Sequence, residues 1–141
     1  MESADAGEER EGIWDQFRWS VLALAMDAEV QLSLFPDFTC KADELALDFD
    51  HWFRVAKAQF PEEFSNGRLQ ALEAIDQKLE AMSFGGPLFD EFGWGEDALR
   101  TRSEWSEVRS LAKHASHQFG WRLEVPPYGR SQYVQYRPDD T

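Results

Sequence analysis

The chain has 141 residues, of which 43% are hydrophobic and 14% aromatic. This composition is too apolar for an intrinsically disordered chain, and the length suits one domain with a core that needs no disulfide or metal. A formal net charge of -13 disfavours binding to nucleic acids and to anionic membranes, because both present like charge.

The cysteine content and the N-terminus predict a cytoplasmic protein that contacts no membrane. Cys40 is the single cysteine, so no intramolecular disulfide can form. The first twelve residues, MESADAGEEREG, carry acids where a signal peptide needs basic residues, and the apolar run VLALAM is far too short to span a membrane.

The first predicted element is a long helix that follows a tail. Residues 1–12 are small and acidic without apolar periodicity, so we expect a disordered acidic tail. From Ile13 apolar residues recur at helical spacing, which predicts a helix over about 13–35 that ends before Pro36. This helix is either central in a bundle or shared between two copies of the chain, because a second apolar strip lies opposite the first: Trp19, Leu22, Met26 and Val30.

A second helix is predicted over about 42–60. Its apolar residues fall within about 100° of arc, and they are Leu45, Phe49, Trp52, Phe53, Ala56 and Phe60. His51 points away from this face. Four carboxylates occupy the first half of the helix, where they favour the helix dipole: Asp43, Glu44, Asp48 and Asp50.

Periodicity predicts two further helices, over about 66–82 and 96–119, with Gly120 as a C-terminal cap. After them, WRLEV and SQYVQYR flank the turn signal PPYG, which indicates an antiparallel hairpin over about 121–137. The expected fold is therefore mainly α: a four-helix bundle-like single domain over 13–137 with a small C-terminal antiparallel β-hairpin.

The connection SFGGPLFDEFGWGED, residues 83–97, is unusually long for a helical bundle, and such connections are functional or disordered. Its aromatic residues resist solvation, so they either plug the end of the bundle or are presented to a partner. We expect Trp94, which lies between two glycines, to be the exposed anchor. Carboxylates surround it in the sequence: Asp90, Glu91, Glu96 and Asp97.

Charge is distributed unevenly along the chain. Residues 1–97 carry 22 Asp or Glu against 7 Lys or Arg, whereas residues 98–137 carry 3 against 7. Either the basic third docks on the acidic part of the same molecule, or enough acid stays uncovered to attract a basic partner.

Catalytic patterns are weak in this sequence. The serines form no G-x-S-x-G elbow, the glycines form no phosphate-binding pattern, and Cys40 beside Lys41 has no obvious His and acid relay. The alternative is a metal-dependent enzyme or metal sensor that uses His114 and His117 with Asp48 or His51. We expect no catalytic site and no cofactor, because these histidines lie away from the apolar stripes of their helices and would not converge.

A small, acidic, aromatic-rich domain without a catalytic constellation resembles bacterial immunity proteins that neutralise basic toxin enzymes. The resemblance is one of composition and covers no motif. The sequence therefore predicts an interaction module, acting as an inhibitor, that binds a basic protein partner. The residues expected at the interface are Asp43, Glu44, Asp48, Asp50, Asp90, Glu91, Trp94, Glu96 and Asp97. The remaining alternative is a structural homodimer through the second strip of the first helix.

Overall fold

The computed structural model describes the backbone of residues 2–127 and, apart from residues 2–6 and 8, their side chains. The described chain is mainly helical, which confirms that part of the expected fold class. No helix in it is both long and apolar enough to cross a bilayer. The helices are α1 (Glu2–Ala25), α2 (Ala28–Ser33), α3 (Lys41–Gln59), α4 (Asn66–Met82), α5 (Glu96–Thr101) and α6 (Ser103–Gln118), with a 3-10 turn at Pro61–Glu63.

The four longest helices of the described chain pack around one core. Helix α1 packs against α3 on one side and α6 on the other, and α6 packs against α4. Helices α3 and α4 contact each other little. The bundle is therefore closed on three sides and open between α3 and α4.

An aromatic cluster fills one end of the core. Its central ring is Trp14, whose centroid lies 5.1 Å from Phe60, 5.8 Å from Phe119 and 6.0 Å from Trp121. Interplanar angles of 66° to 73° give edge-to-face contacts, which aromatic pairs prefer. These contacts join the middle of α1 to the C-terminal ends of α3 and α6.

The single helix predicted over 13–35 is wrong, because it is split into α1 and α2. Between them Asp27 is extended, with ψ of 156°. The fully buried side chain of Gln31 folds back, and its Nε2 donates hydrogen bonds to the carbonyl oxygens of Ala23 and Leu24, each at 3.1 Å. A side chain thus satisfies the last carbonyls of α1. The hydrophobic pattern continues across this break, so periodicity did not reveal it.

The predicted helix over 96–119 is likewise divided, into α5 and α6. Arg102 lies between them with an extended ψ of 135°. Its guanidinium binds Asp90 at 2.8 Å, and this long-range contact explains why the chain turns there.

At the N-terminus the structure differs from the predicted tail, because α1 already begins at Glu2. The first turns of α1 are held beside the end of α3. Arg10 donates a hydrogen bond to the carbonyl oxygen of Gln59 at 3.0 Å, and its guanidinium lies 4.5 Å from the centroid of the Phe60 ring.

The predicted β-hairpin is wrong as far as the chain is described, because residues 121–127 contain no strand; residues 128–137 lie outside the described part. Gly120 caps α6 at a φ of +74°, as expected. Trp121 then folds back, stacks on Phe119 at 4.4 Å and donates its backbone N–H to the carbonyl oxygen of Ser116 at 3.0 Å. The segment therefore packs as an irregular cap on α6.

The second apolar strip of the predicted first helix, which runs from α1 into α2, is used within the fold. Leu22 is fully buried, and the strip's other members, Trp19, Met26 and Val30, are half-buried. Little apolar area therefore remains on this strip for a second copy of the chain.

Candidate binding groove

The open side of the bundle forms a groove between α3 and α4. One wall is a face of α3 on which Asp43, Leu47 and Asp50 follow one another at spacings of four and three residues. These positions lie beside the core stripe of α3, so the groove face is separate from the face that packs on α1. Leu47 is 62% exposed, which is unusual for a leucine at the centre of a helix.

The first part of the groove, the apolar compartment, has a volume of about 470 Å³. Its apolar lining comes from α3 and from the segment that follows α4, and it includes Ala46, Leu47, Phe84, Phe89 and Trp94. Phe84 is 90% exposed and packs edge-to-face on Phe89 at 5.4 Å. The carboxylates of Asp43 and Glu91 complete the lining.

The second part, the acidic compartment, has a volume of about 310 Å³ and shares Ala46, Leu47 and Ser83 with the first. Three carboxylates line it, those of Asp50, Asp76 and Glu80. The two compartments therefore form one continuous depression that is apolar at one end and acidic at the other.

In the acidic compartment the ionised form of Asp76 is disfavoured. Burial raises the pKa of the Asp76 carboxyl, and the neighbouring carboxylates of Asp50 and Glu80 raise it further, whereas Lys57 and Arg54 oppose the change. Asp50 forms a salt bridge with Arg54 one turn later. Repulsion at Asp76 outweighs these cations, so an additional cation in the compartment would stabilise its ionised form.

The segment that carries Phe84 and Phe89 is folded tightly on the end of α4. The Leu88 N–H donates to the carbonyl oxygen of Ala81 at 2.9 Å, and the Gly86 N–H donates to that of Ser83 at 2.8 Å. A Cβ at Gly86 would lie 2.3 Å from the Ala81 carbonyl oxygen. Glycine at this position is what allows the segment to approach the helix so closely.

We expect Gly86→Ala to lower the free energy of unfolding by about 2 kcal/mol, because backbone must move to admit the methyl group. Gly95→Ala is the matched control, since a Cβ there meets nothing within 4 Å and φ is -83°. Urea denaturation followed by circular dichroism measures both variants. Equal stability of the two would contradict the close approach at Gly86.

The predicted exposure of Trp94 is wrong. Its Nε1 donates to the carbonyl oxygen of Met82 at 3.0 Å, and its ring meets the buried Trp105 edge-on at 5.2 Å. Trp105 in turn donates its Nε1–H to the carbonyl oxygen of Gly93 at 2.8 Å. Trp94 is the plug of the bundle, whereas the three phenylalanines of the segment, Phe84, Phe89 and Phe92, are exposed, Phe84 the most.

Three of the carboxylates predicted at the interface are paired outside the groove. Asp90 accepts from the Phe92 N–H at 2.9 Å and from Arg102, and both bonds lower the pKa of the Asp90 carboxyl. Glu96 binds Lys41 at 3.2 Å, and Asp97 lies 3.5 Å from Arg100. Each of these charges is offset by a cation and does not line the groove.

The other predicted interface acids separate into two groups. Asp43, Asp50 and Glu91 line the groove, whereas Glu44 and Asp48 are half-buried and do not. Among the described residues, no salt bridge involves the groove carboxylates Asp43, Asp76, Glu80 and Glu91.

Two arginines of the basic part of the chain, residues 98–137, form ion pairs with carboxylates of the acidic part before it. Arg100 of α5 binds Glu29 of α2 at 2.6 Å, and the Arg102 contact with Asp90 is a second example. Neither pair lies in the groove, so Arg100 and Arg102 do not neutralise its carboxylates.

The metal candidates do not converge. His51 is exposed against the edge of Trp52, and both His114 and His117 are exposed on α6. Among the side chains that the structure describes, no group of three His, Cys, Asp or Glu is placed to hold a metal ion.

Cys40 is not activated by its neighbour Lys41. Burial is the largest effect on the Cys40 thiol and raises its pKa, and the nearby charges of Asp43 and Glu44 act in the same direction. Lys41 instead pairs with Glu96 and with Asp37.

The interface predicted from the sequence did not include five residues that the groove uses: Leu47, Asp76, Glu80, Phe84 and Phe89. A signal for Leu47 was present, because it is a leucine off the core stripe of α3, four residues after Asp43 and three before Asp50. Asp76 and Glu80 looked like ordinary solvated acids of α4, and their meeting with Asp50 depends on helix packing.

Comparison with known proteins adds no relative from which a function could be transferred. No protein-family model, no curated protein and no solved structure matches this chain.

Proposed function

We propose that this protein is an interaction module that binds a basic protein partner through the groove and thereby blocks the partner's surface. The observation that carries the proposal is the exposure of Leu47, Phe84 and Phe89 next to carboxylates that lack salt bridges within the described chain. Apolar anchors beside unpaired acid are the features that favour burial against a cationic surface.

The two compartments contribute in different ways. Burial of an exposed phenylalanine or leucine side chain is worth about 1.5–3 kcal/mol, so Phe84 and Leu47 would determine how long a complex lasts. The carboxylates would mainly accelerate association with a cationic partner, and salt would screen this attraction.

Composition supports two extensions of the proposal. The presence of a single cysteine supports a reducing compartment such as the cytoplasm. The net charge of -13 supports an immunity-type role in which the partner is a basic enzyme and the groove covers part of its working surface.

Partner capture with matched baits tests the proposal. The baits are the unaltered protein, Phe84→Ala and Phe38→Ala, the last because Phe38 is 79% exposed but does not line the groove. For a basic protein identified by mass spectrometry, we expect Phe84→Ala to weaken affinity at least about tenfold and Phe38→Ala to stay within about twofold. Equal binding by all three baits would refute the groove as the interface.

Salt dependence of the association rate tests the charge component. We expect the rate with the captured partner to fall as salt rises, and to fall less steeply in Asp43→Asn and Glu80→Gln than in Glu11→Gln. Glu11 is the control because it is an exposed acid of α1 near the opposite end of α3. A rate indifferent to salt would remove the electrostatic part of the proposal.

A further inference from the structure

We propose that the groove takes one amphipathic helix of the partner, with apolar side chains in the apolar compartment and Lys or Arg one turn further along in the acidic compartment. This inference rests on the proposed function and adds the form and the residue pattern of the bound segment.

The spacing of the two compartments matches helical periodicity. Leu47 belongs to both compartments, and Asp50 begins the acidic one, three residues and about 4.5 Å along the axis of α3. On a bound helix, side chains at i and i+3 or i+4 lie on one face at a rise of about 4.5–6 Å. An apolar residue over Leu47 and Phe84 therefore places a cation at i+4 within reach of Asp50.

The nature of the walls favours a helix over an extended segment. The acidic compartment lies between two helices, α3 and α4, whose backbone groups are bonded within each helix, and α3 continues as one wall of the apolar compartment. An extended peptide in this groove would bury amides without partners, because the described chain offers no strand edge. A helix brings its own backbone hydrogen bonds and presents side chains alone.

The acidic compartment selects a cation at that position. Asp76 is half-buried between Asp50 and Glu80, and the three carboxylates lie close enough to repel one another. A neutral side chain would leave this repulsion in place. An ammonium or guanidinium group can donate hydrogen bonds to these carboxylates and offset their charge, and Arg can do so through several N–H donors at once.

A synthetic helix provides the probe. An alanine-based, end-capped peptide of about 16 residues carries Leu at i and i+3 and Arg at i+4 and i+7, which share one face. One control peptide moves the arginines to i+2 and i+9, on the opposite face, and another places proline at the centre to prevent a helix. Fluorescence anisotropy measures binding to the full chain.

We expect the one-face peptide to bind at least about tenfold more tightly than either control. Its binding should weaken about fivefold or more in Leu47→Ala and in Asp76→Asn, and should be unchanged in Phe38→Ala. Equal binding of the proline peptide, or no binding of any peptide, would overturn the inference.

Failure here is distinguishable from failure of the proposed function. If no peptide binds while the captured partner still requires Phe84, the groove is an interface but its occupant is not a helix of this pattern. Sedimentation showing a dimer of this chain that Phe84→Ala separates would also overturn the inference, because the occupant would then be a second copy.

Discussion

Trp105→Ala is expected to lower the free energy of unfolding by about 4 kcal/mol, the largest effect of a single substitution that we anticipate. Trp105 is fully buried in α6 and is the largest of the fully buried side chains in the described chain. Its indole also donates to the Gly93 carbonyl oxygen and meets the Trp94 ring, so it ties the groove segment to the core. Denaturant titration followed by circular dichroism measures the loss.

Trp105→Phe separates the contribution of core packing from that of the indole hydrogen bond. It keeps an aromatic ring in the core but removes the Nε1–H donor, so we expect a smaller loss, of about 1–2 kcal/mol. Hydrogen exchange should nevertheless accelerate at the amide of Leu88, because the segment is less firmly held. A loss below about 1 kcal/mol for Trp105→Ala would contradict its place at the centre of the core.

Gln31→Leu is expected to cost about 3 kcal/mol even though leucine suits an apolar environment. Gln31 is fully buried and caps the end of α1 through the carbonyls of Ala23 and Leu24. Its Oε1 accepts a hydrogen bond from Arg109 at 3.1 Å. Burial lowers the pKa of the Arg109 guanidinium, and the charge of Asp27 opposes this only in part. Loss of Gln31 therefore removes one of the two acceptors of a partly buried cation and leaves the Leu99 carbonyl oxygen at 3.0 Å.

A double-mutant cycle with Arg109→Leu isolates the contact between these side chains. We expect the double variant to be more stable than the sum of the single losses implies, by about 1 kcal/mol, because neither group is then left without the other. Gln77→Leu, at an exposed glutamine of α4, is the control and should stay within about 0.5 kcal/mol of the unaltered protein. Strict additivity would show that the two side chains do not act together.

The sequence predicted those helices well whose apolar residues form one continuous stripe. The ranges predicted for α3 and α4 lie close to the observed ones, because each has an uninterrupted apolar stripe and a clear end. The breaks at Asp27 and Arg102 were not predictable in this way. They depend on the long-range contacts of Gln31 and Arg102, which hydrophobic periodicity does not register.

For the groove, too, the sequence revealed some features and concealed others. The segment 83–97 could be selected as the informative stretch, since its length and aromatic content are visible in the sequence. Which of its rings is buried could not be read from neighbouring glycines. Trp94 is held inside by its hydrogen bond to the Met82 carbonyl oxygen, whereas Phe84 lies outside, beside the tight turn at Gly86.

The predicted acidic surface needed a similar revision. Acids adjacent in sequence to Trp94 looked like a rim, yet Asp90, Glu96 and Asp97 meet cations of their own. The repulsive group of Asp50, Asp76 and Glu80 joins two helices, so no local pattern could reveal it.

The amide-exchange footprint of the complex with the captured basic partner tests the central claim most directly. The backbone of residues 83–91 carries the exposed rings of the groove, so its amides should exchange more slowly in the complex. The amides of 113–118 belong to the last turns of α6, which do not line the groove, and should be unchanged. Protection of 113–118 with no change in 83–91 would contradict the claim that the partner binds between α3 and α4.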